Sequence, residues 1–338
     1  MVKPFYKTTA IILAAIMVAS IFCGILIYNV NKNNKSNEIL ESDTDDALPS
    51  VSTSAGKRPL CLLIIGRDNA SALADVIMLV SFDKATKKSC ILQIPRDTYA
   101  DYGGNHFKIN GALKALGEEG MCRFLEESMG IEIDGYVSLE LEGFRALVDA
   151  IGGVELDVEK HLRYSDPEQG LYIDLPAGRQ TLDGKQAEML VRYRSGYARG
   201  DLDRLDIQKR FLAAFFLRLK DKVTPLSVYS IANKILPYLK TDMAVGDLIS
   251  LGLSATAVQS KDISIATAPG EDAISSISGA SFYILSAPST AELLEKYFCA
   301  DADGFDKNLC FLHPSLDSFE RIYRKKIENN VFSAEELK

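Results

Sequence analysis

Three short apolar segments decide the fold: Leu60–Gly66 (LCLLIIG), Val76–Phe82 (VIMLVSF) and Cys90–Ile94 (CILQI). Each is rich in β-forming residues, and glycine, aspartate or proline ends each one. Segments of this length and composition predict buried β-strands. Because helical patterns alternate with further strand patterns downstream, the sequence predicts an α/β domain with layered α-β-α architecture and a central mixed sheet.

Helical patterns occupy most of the remaining domain. They cover Asn110–Met129, Gly143–Ile151, Asp183–Arg192 and Asp203–Lys222. In the last of these, an apolar stripe ending at Leu219 continues towards the N-terminus through Arg204 and Gln208. The sequence therefore places two polar side chains on the inward face of the strongest helix.

The N-terminal region predicts a membrane anchor. Residues 8–31 carry no charge, and Ala10–Ile27 is apolar apart from Ser20 and Gly24, which is enough for one transmembrane helix. An uncleaved signal-anchor with an extracytoplasmic C-terminal domain is favoured over a cleaved signal peptide. The expected organisation is a cytoplasmic N-terminus and anchor (1–30), a flexible linker (31–57), the domain (58–300), and a tail (301–338) with a helix near Pro314–Asn329.

Cationic side chains cluster in a chain whose net charge is −8. The first cluster is Ile94–Thr98 (IPRDT) with Lys108 of the KIN motif, and the second is Val191–Arg194 (VRYR) followed by Asp201, Arg204 and Gln208. Guanidinium groups match phosphate oxygens two at a time, and a helix N-terminus near Arg204 favours an anion. These stretches predict a phosphate-binding site. The acidic balance argues against nucleic acid as a partner.

Two carboxylates flank the turn between the first two strands. Asp68 follows the first strand and Asp75 precedes the second. Together they could share a divalent cation with pyrophosphate oxygens, although either residue alone is more often a turn residue or helix cap.

The order of these motifs resembles the LytR-CpsA-Psr family over roughly Arg58 to Ala300. Ile151–Val154 (IGGV) and the turn Pro269–Glu271 extend the likeness. The resemblance implies a membrane-anchored, magnesium-assisted phosphotransferase of bacterial cell-wall assembly. Such an enzyme moves a glycopolymer, for example teichoic acid or capsule, from undecaprenyl pyrophosphate to peptidoglycan.

The resemblance also implies residue roles by position. Asp68 and Asp75 correspond to the magnesium ligands, and Arg96 to a catalytic residue of the pyrophosphate clamp. Either Asp75 or Asp97 is the expected general base. Pyrophosphate binding is assigned to Arg96, Lys108, Arg192, Arg194, Asp201, Arg204 and Gln208.

One departure from the family pattern leaves alternatives open. The family carries an arginine two residues before the second aspartate, where this chain has Leu73, and Arg67 is the nearest substitute. A polyprenyl-pyrophosphate hydrolase, with water as the acceptor, is one competing hypothesis. The missing arginine supports a second, a non-catalytic polyprenyl-phosphate-binding protein. A transcriptional regulator is rejected because the chain lacks a helix-turn-helix pattern and a basic face.

Overall fold

The structure is a computed structural model that describes residues 58–67, 72–83, 85–102, 104–167, 171–193, 201–222, 231, 234–244, 258–300, 319–321 and 331–337, without the side chains of 201–203 and 319–321. The predicted anchor and linker lie outside these residues, as does most of the tail. None of the helices within the described ranges is long and apolar enough to cross a membrane.

Strands and helices alternate through the described residues, with two strands near the C-terminus. The strands are β1 (Leu60–Arg67), β2 (Ala74–Asp83), β3 (Lys88–Ile94), β4 (Tyr99–Tyr102), β5 (Asn105–Lys108), β6 (Gly135–Glu140), β7 (Val154–Val158), β8 (Leu162–Asp166), β9 (Leu171–Leu175), β10 (Gly178–Leu182), β11 (Leu239–Thr241), β12 (Ile263–Thr267), β13 (Gly270–Ser275), β14 (Ser281–Leu285), β15 (Phe319–Arg321) and β16 (Phe332–Ser333). The α-helices are α1 (Ala112–Met129), α2 (Leu141–Ala150), α3 (Gly184–Arg192), α4 (Asp201–Lys222) and α5 (Ala287–Phe298).

A seven-stranded mixed sheet forms the centre, in the order β11-β6-β1-β2-β3-β12-β16. Strand β2 runs antiparallel to β1 and β3, whereas β6 is parallel to β1 and β12 is parallel to β3. Strands β1, β3, β6 and β12 therefore share one direction, and their C-terminal ends meet at one edge, where β2 begins. We call this the carboxyl edge; it carries Arg67, Ala74, Ile94, Glu140 and Thr267. The mixed α/β architecture predicted from sequence is confirmed.

Alternation along the strands gives the sheet two apolar faces. The front core contains Leu62, Met78, Ile91, Val137 and Ile265, and α2, α3 and α4 cover it with residues such as Phe144, Leu190 and Phe211. The back core contains Leu63, Leu79, Leu92, Tyr136 and Ala266, and α1 and α5 cover it with residues such as Phe124 and Leu294. Helices thus lie on both faces, which buries every central strand twice and explains their continuous apolar segments.

A β-bulge interrupts the alternation at the carboxyl edge. The register steps from Gly66 opposite Val76 to Arg67 opposite Ala74, which leaves Asp75 as the extra residue. Val76 belongs to the front core, but Ala74 joins the back core with Ile77. Bulges occur frequently beside functional sites because they change the direction of a side chain. Here the redirected residue is an aspartate.

The predicted helices agree with the structure to within about two residues, with one break and one correction. Gly117 interrupts α1 with φ 71° and ψ −179°, a conformation that only glycine adopts readily. Near the C-terminus, the helix predicted at Pro314–Asn329 does not run through Phe319–Arg321, because these residues pair with β13 as a strand. A free strand edge offers backbone hydrogen bonds that outweigh a local helical pattern.

Candidate functional site at the carboxyl edge

The predicted phosphate-binding residues of the first cluster all lie at the carboxyl edge. In open α/β sheets, ligands bind beyond the carboxyl ends of the strands. Asp75 is the second residue of β2 there, and Arg96 follows the end of β3. The topology alone therefore brings together residues that are far apart in the chain.

Arg96 and Asp75 form a buried ion pair. The β2–β3 register aligns Ile77 with Ile94, so the residues two positions further out, Asp75 and Arg96, face each other. Arg96 Nη1 lies 2.5 Å from Asp75 Oδ1, and only 7% and 5% of the two residues are exposed. Asp75, the predicted metal ligand, and Arg96, which is predicted to bind phosphate, therefore contact each other directly.

A tight turn presents Arg96. The backbone N–H of Thr98 donates to Pro95 O over 3.0 Å, and the Thr98 hydroxyl donates to the same oxygen over 2.6 Å. The KIN motif closes the turn from the other side, because Asn110 N donates to Arg96 O over 3.1 Å and Ile109 N donates to Thr98 O over 2.8 Å. The two motifs recognised in the sequence are therefore one hydrogen-bonded unit.

Tyr283 of β14 stabilises the turn that carries Arg96. Its backbone N–H donates to Asp97 O over 2.9 Å, and its hydroxyl donates to Ala268 O over 2.8 Å. Burial raises the pKa of the Tyr283 hydroxyl well above its usual 10, so the hydroxyl keeps its proton and this bond. Tyr283 joins the Arg96 turn to the segment that follows β12.

Asp97 and Lys108 form the accessible part of the cluster. Lys108 Nζ lies 3.2 Å from Asp97 Oδ1, and Arg96 Nε lies 3.9 Å from the same oxygen. The side chains of Asp97 and Lys108 are 27% and 33% exposed, compared with 3% for that of Asp75. A ligand arriving from solvent would meet Lys108 and Asp97 first.

The second cluster is held by helices α3 and α4. Arg192 Nη1 lies 2.5 Å from Glu188 Oε1, one turn earlier in α3, and Arg145 of α2 also pairs with Glu188. Gln208 Nε2 donates to Val191 O over 3.2 Å, and Arg204 is 1% exposed. Arg194 and the side chain of Asp201 lie outside the described residues, so their predicted roles stay predictions.

The orientation of α4 places Arg204 towards the carboxyl edge. Helix α2 leaves that edge after Glu140 and ends at the opposite edge, where Gly152 and Gly153 follow. Arg218 of α4 donates to the carbonyls of both glycines. Arg204 precedes Arg218 by fourteen residues, which is about 21 Å of helix. The N-terminal end of α4 therefore lies at the same end of the sheet as Arg96.

Comparison with known proteins gives the family. The sequence matches the LytR_cpsA_psr family over residues 25–298, which is most of the chain. The chain belongs to this family. The teichoic acid transferase TagV of Bacillus subtilis (polyisoprenyl-teichoic acid–peptidoglycan teichoic acid transferase) is 27% identical over 252 residues, covering 72% of this chain and 61% of TagV. The cell wall biosynthesis protein LcpA of Corynebacterium glutamicum is 30% identical over 217 residues, covering 56% of this chain and 40% of LcpA.

A solved structure confirms the family fold. The crystal structure of Bacillus subtilis TagV superposes with a TM-score of 0.63 at 24% identity, covering 73% of this chain and 99% of that structure. This likeness shows a shared fold. The present chain spans less than two thirds of the length of TagV and of LcpA.

The carboxylate expected to bind magnesium in a LytR_cpsA_psr protein is present at Asp75. Asp68 lies outside the described residues, and within the described residues no group of three or more His, Cys, Asp or Glu side chains is close enough to hold a metal ion. Asp75 nevertheless has suitable chemistry, because carboxylate oxygens are the hard ligands that Mg²⁺ prefers. It is also the second residue of β2, opposite the end of β1, the strand that leads into Asp68.

Arg67, considered as the substitute for the family arginine missing at Leu73, has carboxylate partners of its own. Its Nη2 lies 2.5 Å from Glu140 Oε1, and its Nη1 lies 4.0 Å from Glu118 Oε1. Lys240 Nζ also pairs with Glu118, at 2.7 Å. These contacts balance the charge of Arg67 within the protein, which argues against its use for binding phosphate.

Several supporting residues were not predicted from the sequence. Glu188 is the partner of both Arg192 and Arg145, and its position four residues before Arg192 was a readable helical pairing signal. Glu118, Glu140 and Tyr283 had no comparable local signal, because their partners lie far away in the chain.

Proposed function

We propose that this protein is a membrane-anchored phosphotransferase that moves an anionic glycopolymer from undecaprenyl pyrophosphate to peptidoglycan. The observation that carries the proposal is the buried Asp75–Arg96 pair, bordered by Lys108, at the carboxyl edge of the sheet. Membership of the LytR_cpsA_psr family supports the same reaction, since TagV is named as a transferase of teichoic acid to peptidoglycan.

Phosphoryl transfer depends on positioning and on cancelling charge at the non-bridging oxygens. Arg96 lies in a turn held by backbone hydrogen bonds, and its ion pair with Asp75 orients the guanidinium before a ligand arrives. Glu188 orients Arg192 in the same way from the helical side. Both arginines are pre-organised, which lowers the cost of ordering them around a pyrophosphate.

In the proposed reaction, a peptidoglycan hydroxyl oxygen attacks the phosphorus that bears the glycopolymer. A phosphodiester bond forms, the bond from this phosphorus to the bridging oxygen breaks, and undecaprenyl phosphate leaves with that oxygen. Asp97 accepts the hydroxyl proton, because its carboxylate is accessible while Asp75 is buried against Arg96. Mg²⁺ held by Asp68 and Asp75 would neutralise pyrophosphate charge.

The fate of the sugar-linked phosphate distinguishes a transferase from a hydrolase and from a binding protein. The full chain in detergent, with Mg²⁺, would receive an undecaprenyl-pyrophosphate-linked oligosaccharide labelled at the sugar-linked phosphate, together with peptidoglycan. Label on peptidoglycan supports the transferase. Free labelled sugar phosphate identifies a hydrolase, and retention of intact lipid identifies a binding protein. Arg179→Ala, which removes an exposed arginine paired with Glu155, serves as the control variant.

The predicted anchor places this reaction on the outer side of the membrane. Protease added to intact protoplasts should therefore remove the domain, whereas protease should leave it intact if the domain is cytoplasmic. A mature N-terminus beyond Asn31 would contradict the uncleaved anchor.

A further inference from the structure

A polar pair interrupts the apolar front core near the carboxyl edge. Gln93 of β3 lies opposite Thr267 of β12 in the parallel ladder, and the Thr267 hydroxyl donates to Gln93 Oε1 over 3.3 Å. The two residues are only 2% and 1% exposed. Two residues earlier in each strand, Ile91 and Ile265 occupy the same face. On this face, β3 and β12 therefore carry polar side chains at their last position before the carboxyl edge.

Within the described part of the chain, the Gln93 carboxamide has a partner for its oxygen but not for its nitrogen. Among the residues that the structure describes, its Nε2 has no hydrogen-bond partner. Burying an amide donor without a partner costs stability, and buried polar groups in proteins are almost always hydrogen-bonded. An amide is suited to ligand binding when the protein holds its oxygen and its N–H group can donate to the ligand. The Thr267 hydroxyl holds Oε1, which keeps the donor directed away from β12.

The N-terminal half of α4 lies over this pair. Lys209 Nζ is 5.3 Å from the centre of the Phe332 ring, and Phe332 pairs with Ile265. Leu205, one helical turn earlier, belongs to the same apolar cluster as Ala266 and Ala268. Helix α4 packs directly against β12, the strand that carries Thr267.

The Arg96 turn begins at Pro95, two residues after Gln93. Gln93 precedes Arg96 by three residues, which is about 10 Å of extended chain. The Gln93 side chain is therefore on the face of the sheet that α4 covers, and it is close in sequence to the cation of the Arg96 turn. Anionic oxygens are the acceptors that such surroundings would attract.

We propose that the Gln93 carboxamide binds the ligand by donating a hydrogen bond from Nε2 to a phosphate oxygen of the lipid pyrophosphate, with Thr267 as its positioning residue. This inference rests on the proposed function. A neutral donor adds a contact to the pyrophosphate without adding charge, in a chain that has Leu73 where its family has an arginine.

The test compares binding with stability. In Gln93→Met the volume is nearly conserved and the buried amide is removed. Calorimetry on the full chain in detergent with Mg²⁺ and a C20 polyprenyl pyrophosphate should show Kd weakened by about tenfold or more. Without ligand, the melting temperature should stay unchanged or rise, because an unsatisfied donor has been removed.

Two further variants sharpen the test. Thr267→Val removes the orienting hydroxyl with little change of shape, and Kd should weaken by about threefold, with Nε2 less well directed. Gln180→Met is the matched control, because the Gln180 amide donates to Pro176 O on the β9–β10 hairpin. Its Kd should equal that of the parent chain.

Each outcome has a defined meaning. If the parent chain binds the pyrophosphate and Gln93→Met binds equally well, Gln93 is structural and only this inference is overturned. A lower melting temperature with unchanged Kd leads to the same conclusion. If the parent chain itself does not bind, the proposed function is overturned together with the role of Gln93.

Discussion

The two halves of the site are built by different means. The strand half (Asp75, Arg96, Asp97 and Lys108) is positioned by sheet register and by the backbone hydrogen bonds of a turn. The helix half (Arg192, Arg204 and Gln208) depends on side-chain contacts, with Glu188 for Arg192 and the Val191 carbonyl for Gln208. Strand register fixes the position of a residue whenever the sheet is folded, whereas one substitution can remove a side-chain contact. The strand half should therefore be the more rigid platform.

The largest expected effect is that of Arg96→Ala in the strand half. Transfer should be lost, and the free energy of unfolding should fall by about 3–5 kcal/mol, because Asp75 remains as a buried carboxylate without Arg96. Urea unfolding and the labelled transfer assay measure the two effects. Adding Asp75→Ala to Arg96→Ala should restore part of the stability but none of the transfer. If the Arg96→Ala variant transferred at the rate of the parent chain, Arg96 would not belong to the site.

The helix half should respond to Glu188→Gln. Arg192 and Arg145 lose their shared carboxylate, so unfolding should become easier by about 2–3 kcal/mol and pyrophosphate affinity should fall about tenfold. The matched control is Glu155→Gln, because Glu155 pairs with Arg179 on an exposed hairpin where such a pair is worth about 0–1 kcal/mol. Equal effects in both variants would show that Glu188 does not orient Arg192.

Smaller effects are expected at Arg67 and at Leu73, where the chain departs from the family pattern. Arg67→Ala should leave pyrophosphate affinity nearly unchanged, because Glu140 and Glu118 balance its charge. Leu73→Arg should tighten binding by about tenfold, since a hydrogen bond to a charged group is worth about 1.5–3 kcal/mol. Calorimetry decides the matter. A large loss in Arg67→Ala with no gain in Leu73→Arg would mean that Arg67 has taken over the missing role.

Sequence reasoning reached the fold class, the central strands and the motifs of both halves, because apolar segments and turn residues report local structure. It could not pair Asp75 with Arg96, since that contact depends on a bulge and on strand register. The Arg145–Glu188 contact joins two helices that only the packing brings together. The helix predicted across Phe319–Arg321 was wrong at those residues for the same reason, because pairing with β13 is a tertiary effect.

The pH dependence of unfolding tests the scaffold of the strand half. Cys90 lies in β3, the strand that ends at the Arg96 turn, and burial raises the pKa of its thiol to about 12 from an ordinary value near 9. Above pH 9 the unfolded chain loses this proton while the folded chain keeps it. The corresponding stability is therefore fully present below pH 9 and is lost progressively between pH 9 and 12.

Cys90→Ala should remove that contribution. The free energy of unfolding of the parent should fall with pH above 9 more steeply than that of the variant, by up to about 1.4 kcal/mol per pH unit. Urea unfolding between pH 7 and 10.5 gives both curves, and other titrating groups cancel in their difference. Below pH 8 the thiol is protonated in both states, so the curves should run parallel there. Curves that stay parallel to pH 10.5 would show that water reaches the Cys90 thiol, and that β3 is less rigid than its register implies.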